Sequence, residues 1–541
     1  MKQLQRILSH WAFPILVFAV TLLLGATMHP LWGDEAESAL FGRNIVSYGV
    51  PKGWDGVNIM GINNAVVLDK NLVNHTSPWG QYYLVAASFV LFGQSAFTAR
   101  LPFIMLSLLS MLIVYRLVSD VTKDRHSAYL SLWIMALSVP YILFSYQARY
   151  YAINTFCALV IALSAYHMYR KSGRIWNVWF ALAGSVFFYG NYVVFAAFYA
   201  AIVLTVLVAG IRTKQVWPLF RSFSISTIPI LLFTVPWYIL LKPFDSRGTI
   251  ASYTTQEFIT YFGMMFLEAV KPFNQNNALP IVFLPAVCIF LCLKSLRIIR
   301  AVLFFLGVAG IFLTAMTFFT LLAEVDTSFV HIRYTMMIFP FFAIVSAMLI
   351  RHVMLIQKTI GMLVLALYLT TNVFSITPVR SFMVEFISER ISPYTAPDEA
   401  VAGYLATHAK DGDSAFVNLD RDHEPLIFLL GKKIKFVNRV SLVNTRIFPD
   451  NRGVIPRYIY DYREAPDWVI LYSKRGNDGT FATFDHRDPP VEFSLNRHRY
   501  EEIILPVYFS DMTRPELDLR SFTKLNPKPE DMVYIYRKID K

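Results

Sequence analysis

Cysteine is nearly absent from this chain of 541 residues. The three present, Cys157, Cys288 and Cys292, all sit inside apolar stretches. Without a Cys-x-x-Cys pair or a Cys/His cluster, neither a disulfide framework nor a structural zinc site is expected. Charge is scarce as well, at 16% of residues, and acids are fewer than bases, 37 against 49. Residues 378–541 carry no cysteine, no glycine-rich phosphate loop and no obvious catalytic triad. What fills the chain instead is apolar residues, 55% of the total, with a mean hydropathy of +0.46. That excludes an ordinary soluble protein and indicates a multi-spanning membrane protein. The net charge of +12 is read as a topology signal rather than as nucleic-acid binding, because the basic residues crowd short loops between apolar segments.

Apolar runs of bilayer length recur to about residue 377. They predict spans near 11–28, 99–117, 127–146, 150–169, 175–190, 192–211, 222–241, 279–294, 301–322, 335–350 and 359–377. The first follows Lys2 and Arg6 but lacks a small-residue cleavage site, so it reads as a retained span. Tyr189-Gly190-Asn191 demands a tight turn between two spans, and the short run 80–93 reads as an interfacial helix.

The loops alternate in charge. With a cytoplasmic N-terminus, the inner loops carry Arg116, Lys123 and Arg125, then Arg170, Lys171 and Arg174, then Arg212, Lys214 and Arg221, then Lys294, Arg297 and Arg300, then Arg351 and Lys358. Only Asp120 and Asp124 intrude there. The outer loops hold Asp34, Glu35, Glu37, Asp55, Asp69, Asp245, Glu257, Glu268, Glu324 and Asp326, a segregation that follows the positive-inside rule. An odd number of spans then places the C-terminal region outside.

From 378 to 541 the composition turns polar. Pro397-Asp398-Glu399 reads as a helix start; 414–419, 433–437, 468–472 and 532–536 read as strands. The expected fold is mainly α, with about eleven spans in 1–377 and an extracytoplasmic α/β domain in 378–541. That domain is expected to act as a lid or acceptor-binding module.

The first outer loop, 29–100, is too long to lack a function. It opens on Gly33-Asp34-Glu35-Ala36-Glu37, predicted to begin a surface helix whose dipole favours anions. Acids there serve equally as helix caps. Further along come Ser77-Pro78-Trp79-Gly80-Gln81-Tyr82-Tyr83, Leu91-Phe92-Gly93, Ala99-Arg100-Leu101-Pro102, Ala148-Arg149-Tyr150-Tyr151 and His331-Ile332-Arg333-Tyr334.

In that order and topology these motifs resemble the GT-C superfamily of polyprenyl-phosphate-sugar-dependent glycosyltransferases. The nearest branches are the protein O-mannosyltransferases and the lipid A aminoarabinose transferase-like enzymes. The resemblance is strong over 30–155, weaker to 377 and architectural beyond. It implies that Asp34 is the catalytic aspartate and Glu35 the second half of its Asp-Glu pair. A base is needed because an acceptor hydroxyl is a weak nucleophile. The departing lipid phosphate needs positive charge, for which Arg149 and Arg333 are the first candidates and Lys271 and His331 the next. For the two arginines, interfacial anchoring is the rival role. Tyr82, Tyr83, Tyr150 and Glu37 are candidates for a substrate groove, although packing accounts for such tyrosines equally well.

Two positions depart from the family. Ser77, with His75 nearby, stands where relatives carry a basic residue before the proline, and Asn154 stands where O-mannosyltransferases place an aspartate. No cofactor or metal is implied. The implied partners are a polyprenyl-phosphate sugar, a protein, lipid or glycan acceptor, and the bilayer of the plasma (inner) membrane. Rival readings are a flippase for lipid-linked sugars and a non-catalytic assembly subunit. The spans are nearly free of acids and show no two-fold repeat, which disfavours transport.

Overall fold

The structure, a computed structural model, describes residues 11–27, 30–60, 68–69, 71–241, 253–286, 296–322, 331–376, 383–391, 395–418, 423–436, 465–472, 491–507 and 532–539. Met28, Asp245, Lys294, Glu324, Asp326, Leu419 and Val437 lie outside them, as does the later part of the predicted span 279–294. The chain folds as two compact units. One holds the described residues of 1–26 and 101–387, the other those of 27–100, 388–514 and 522–541.

The first unit is helical. Among the described residues six helices are long and apolar enough to cross a membrane: Ala96–Thr122, Tyr151–Tyr169, Tyr192–Arg212, Val216–Leu240, Ile298–Leu322 and Ile332–Ile356. The expectation of eleven spans is therefore not met by length alone. Ala12–Thr27, Ile175–Gly190 and Lys358–Thr370 are apolar but shorter than the roughly 18–20 residues a bilayer requires. The predicted span 127–146 is broken into Arg125–Ala136 and Val139–Tyr146, bent by 75°. Pro140 explains the break: it has no N–H for the carbonyl of Ala136, where the first helix ends, its ring would clash with that carbonyl in a continuous helix, and it is well tolerated in the first turn of the second.

The expected turn at Tyr189-Gly190-Asn191 is tighter than a loop. Asn191 ends Ile175–Gly190 and also caps Tyr192–Arg212, accepting hydrogen bonds from the Val193 and Val194 amides at 3.2 Å. Gly190 is required there, since a Cβ would lie 2.5 Å from Asn154 Oδ1. The two acids that break the basic pattern are both consumed. Asp120 pairs with Arg116 at 2.7 Å, while Asp124 caps Arg125–Ala136 and lies 3.5 Å from Arg351.

The second unit contains a five-stranded sheet made of β1 (Ser414–Val417), β2 (Lys435–Phe436), β3 (Trp468–Tyr472), β4 (Tyr500–Pro506) and β5 (Met532–Lys538), in the order β2-β1-β3-β5-β4. β1 runs parallel to β2 and β3; β5 is antiparallel to β3 and β4. The helix Pro397–His408 starts where proline predicts it. Val401 and Leu405 from that helix join Trp468, Ile470, Val533 and Ile535 in one core, which also takes in Leu40 and Met60 from the first loop.

Asn58 stitches that loop to the sheet. Its amide donates to the Ile434 carbonyl at 2.9 Å, and its Oδ1 accepts from the Phe436 amide at 2.8 Å. Asn58→Ala strands two backbone groups at a buried position, each costing about 1–3 kcal/mol. The expected result is a lowered thermal midpoint of the purified protein and faster proteolysis within 30–60. An unchanged midpoint would show that water replaces the side chain.

Candidate active site

The helix Gly33–Tyr48 begins without a side-chain cap, its N-cap Trp32 being extended, and closes on Gly49 at φ +77°. Asp34 and Glu35 occupy its first turn, as the sequence predicts. The expected surface location is corrected, however: Asp34, Glu35 and Glu37 are 2%, 0% and 3% exposed. A carboxylate is expelled from such surroundings unless it is paired. Arg100 supplies the countercharge. Its Nε donates to Glu35 Oε1 at 2.8 Å and its Nη2 to Glu35 Oε2 at 2.5 Å, a two-pronged pair with Arg100 only 1% exposed. Nη2 also donates to the Pro30 carbonyl at 3.0 Å, tying the segment ahead of the helix to the same guanidinium. Sequence reasoning quoted Arg100 within Ala-Arg-Leu-Pro and gave it no role. The available signal was a lone charge opening an apolar run.

A second helix, Gly80–Phe92, packs closely on Gly33–Tyr48. At Gly42 a Cβ would lie 2.6 Å from Val85 Cγ1, so only glycine permits that approach. Tyr82 is fully buried against Phe41, ring centroids 4.9 Å apart, whereas Tyr83 is exposed and donates its hydroxyl to the Gly49 carbonyl at 2.8 Å. Asn74 Oδ1 accepts from the amides of Thr76 and Ser77 at 3.2 Å, a side-chain turn that fixes the backbone between His75 and Pro78. Asp55 pairs with Arg43 at 3.1 Å and accepts from the Val57 and Asn58 amides, which is a loop-building role.

In the first unit, two motifs far apart in sequence meet. Arg149 lies over the ring of Tyr150 at 5.7 Å, and Arg333 over that of Tyr334 at 5.0 Å. The Tyr150 and Tyr334 rings are stacked, with centroids 6.2 Å apart and planes 16° from parallel. Each guanidinium thus rests on one ring of a common stack, a geometry that holds planar cations for bidentate contacts. Asn154 follows in the first turn of Tyr151–Tyr169, beside Gly190. Lys271 is exposed and pairs with Glu268 at 3.3 Å on its own helix, Thr255–Gln275, which packs against Ile332–Thr335. Among the described residues no three His, Cys, Asp or Glu side chains converge as metal ligands do.

His331 stands at the N-cap position ahead of Arg333, just outside the span, and its side chain makes no capping hydrogen bond. Burial, aided by the Arg333 charge, lowers its pKa to about 4. At neutral pH it is therefore a hydrogen-bonding group without charge. Between pH 4 and 6.5 the unfolded chain binds a proton that the folded one does not, so stability is full above about 6.5 and falls as the pH drops towards 4. The loss reaches about 3 kcal/mol at the acid end. His331→Gln is expected to flatten that part of the melting-temperature profile in detergent; parallel profiles for the two proteins would refute the lowered pKa.

No family model matches the sequence, and no curated protein matches it. Two solved structures match nearly the whole chain. The first is ArnT from Cupriavidus metallidurans bound to undecaprenyl phosphate, 14% identical, with a TM-score of 0.55 over 97% of this chain and 96% of that one. The second is ArnT of the same organism in the apo state, also 14% identical, with a TM-score of 0.57 over 98% of each chain. At that identity the likeness is one of fold: the chain has the mainly helical GT-C fold with a small C-terminal sheet.

Proposed function

We propose that the protein is an integral membrane glycosyltransferase that moves one sugar from a polyprenyl-phosphate donor to an acceptor outside the cytoplasm. The observation that carries this reading is the buried carboxylate cluster opening Gly33–Tyr48, with one member neutralised by Arg100, in a chain with the fold of a protein that binds undecaprenyl phosphate. Asp34 takes the proton of the acceptor hydroxyl. The acceptor oxygen bonds to the anomeric carbon as the carbon–phosphate oxygen bond breaks, inverting that centre. The lipid phosphate leaves with the bonding pair as a stable anion, held by Arg149 and Arg333. Glu35, locked by Arg100, positions the helix start that carries Asp34. The chemistry belongs to 1–377, and 378–541 serves acceptor binding. The N-terminus is cytoplasmic, and the acidic cluster and C-terminal region are extracytoplasmic, in the plasma (inner) membrane.

The test is sugar transfer by the purified full-length protein, using a panel of polyprenyl-phosphate sugars with extracted envelope acceptors. Transfer of label to a protein, lipid or glycan supports the reading. Donor movement across a reconstituted bilayer without transfer would replace it with a flippase. Within the assay, Arg149→Lys and Arg333→Lys keep charge but lose the forked geometry. Each is expected to raise the KM for donor about 10- to 100-fold, the worth of a charge-assisted hydrogen bond. Unchanged KM values would assign the arginines to anchoring.

A further inference from the structure

Helices of the first unit line an open cavity of about 720 Å³ that the transfer reaction does not use. Lys123, Arg170, Arg212 and Arg300 ring it. Lys123 follows Ala96–Thr122, Arg170 follows Tyr151–Tyr169, Arg212 ends Tyr192–Arg212 and Arg300 lies near the start of Leu296–Leu322, so four helix ends meet here. Arg149 lies ahead of Tyr151–Tyr169 and Arg170 behind it. A helix of 19 residues separates them by roughly 28 Å at 1.5 Å per residue. The cavity thus opens at the end of the helices opposite the stacked arginine–tyrosine pairs.

Topology alone accounts for basic residues at such an end. It does not account for the cavity or for how its charges are left. Asp120 and Asp124, acids of this end, engage Arg116 and Arg351, with Lys123 4.0 Å from Asp120. Among the described residues Arg170, Arg212 and Arg300 have no carboxylate partner. The rest of the wall is largely apolar, with Val206, Leu303, Phe304 and Ile311, yet it contains one buried hydroxyl, Thr205 Oγ1, without a hydrogen-bond partner among the described residues. A threonine within a helix ordinarily bonds back to a carbonyl one turn earlier. Cations, an apolar wall and one unsatisfied hydroxyl match an amphiphile with an anionic head, an ester- or ether-linked neck and a long tail.

We propose that this cavity binds a phosphate-headed membrane lipid, its phosphate held by Arg170, Arg212 and Arg300 and its chain lying along Phe304 and Leu303. The site is separate from the one proposed for sugar transfer, and its test needs no sugar donor. Native mass spectrometry of the delipidated full-length protein is titrated with phosphatidylglycerol, undecaprenyl phosphate, diacylglycerol and inorganic phosphate. One anionic lipid is expected to be retained, and the two anionic arms identify whether its source is a glycerophospholipid or a prenyl phosphate. Arg170→Gln/Arg212→Gln/Arg300→Gln is expected to weaken that binding by at least about tenfold. Ala209→Phe, which keeps every cation and fills the cavity wall, is expected to weaken it as well. It guards against misfolding of the triple variant. Retention undiminished in both variants would overturn the proposal, as would diacylglycerol bound as well as the anionic lipids or inorganic phosphate bound as tightly as lipid.

Discussion

Asp34→Asn is expected to lower kcat for sugar transfer by about 10²- to 10⁴-fold, the usual contribution of a positioned general base, while donor affinity stays within a few-fold. Asparagine keeps the size and most hydrogen bonds of the aspartate and removes only its capacity to take a proton. The side chain is 2% exposed, in the first turn of its helix, so its surroundings are preformed rather than assembled from solvent. The comparison is single-turnover transfer by wild type and variant, with donor binding measured in parallel and near-ultraviolet circular dichroism to confirm the fold. Equal rates would take Asp34 out of the chemistry, and loss of donor binding would reassign it to recognition.

The largest effect on stability is expected at Glu35 and Arg100. Removing one member of a buried pair leaves the other's charge without its counterion, at a cost of about 3–5 kcal/mol. Arg100→Met should cost at least as much as Glu35→Gln, because the guanidinium also donates to the Pro30 carbonyl. Glu35→Leu/Arg100→Met removes both charges together and should recover much of the lost stability, as buried pairs often can be exchanged for apolar contacts. Thermal unfolding in detergent measures all three proteins. A double variant as unstable as Arg100→Met, with Glu35→Gln close to wild type, would show that the Pro30 contact, not the ion pair, holds the helix start. If the double variant is stable yet slow in transfer, Glu35 acts through the orientation of Asp34.

Sequence patterns were most legible where one residue decides a local structure. Asn191 announces a cap, Pro397 a helix start, and Gly190 a turn too crowded for a Cβ. They were least legible where distance decides. Asp34 and Glu35 read as the exposed first turn of a surface helix because the arginine that permits burial lies 65 residues beyond Glu35. Hydropathy alone merged Arg125–Ala136 with Val139–Tyr146, although Pro140 carried the information that separates them. The edge strand Tyr500–Pro506 was missed because its Glu501-Glu502 pair and outward-facing residues blur the alternation that marks a half-buried strand. In the candidate site, the Arg149 and Arg333 motifs could be found singly, but the ring stack that joins Tyr150 to Tyr334 is purely tertiary.

The Asn58 bridge also sets an order of events during synthesis. Its partner Ile434 is 376 residues further along the chain. At about 5–20 residues per second, the ribosome takes roughly 20–75 seconds to deliver that partner after Asn58 has emerged. Throughout that interval Leu40 and Met60 await the β-sheet core that will cover them, while every later span is being inserted. A message truncated near 377 therefore leaves a loop whose apolar face never finds its cover, which marks such products for quality-control proteolysis. The last strand made, Met532–Lys538, inserts between β3 and β4 and completes the sheet.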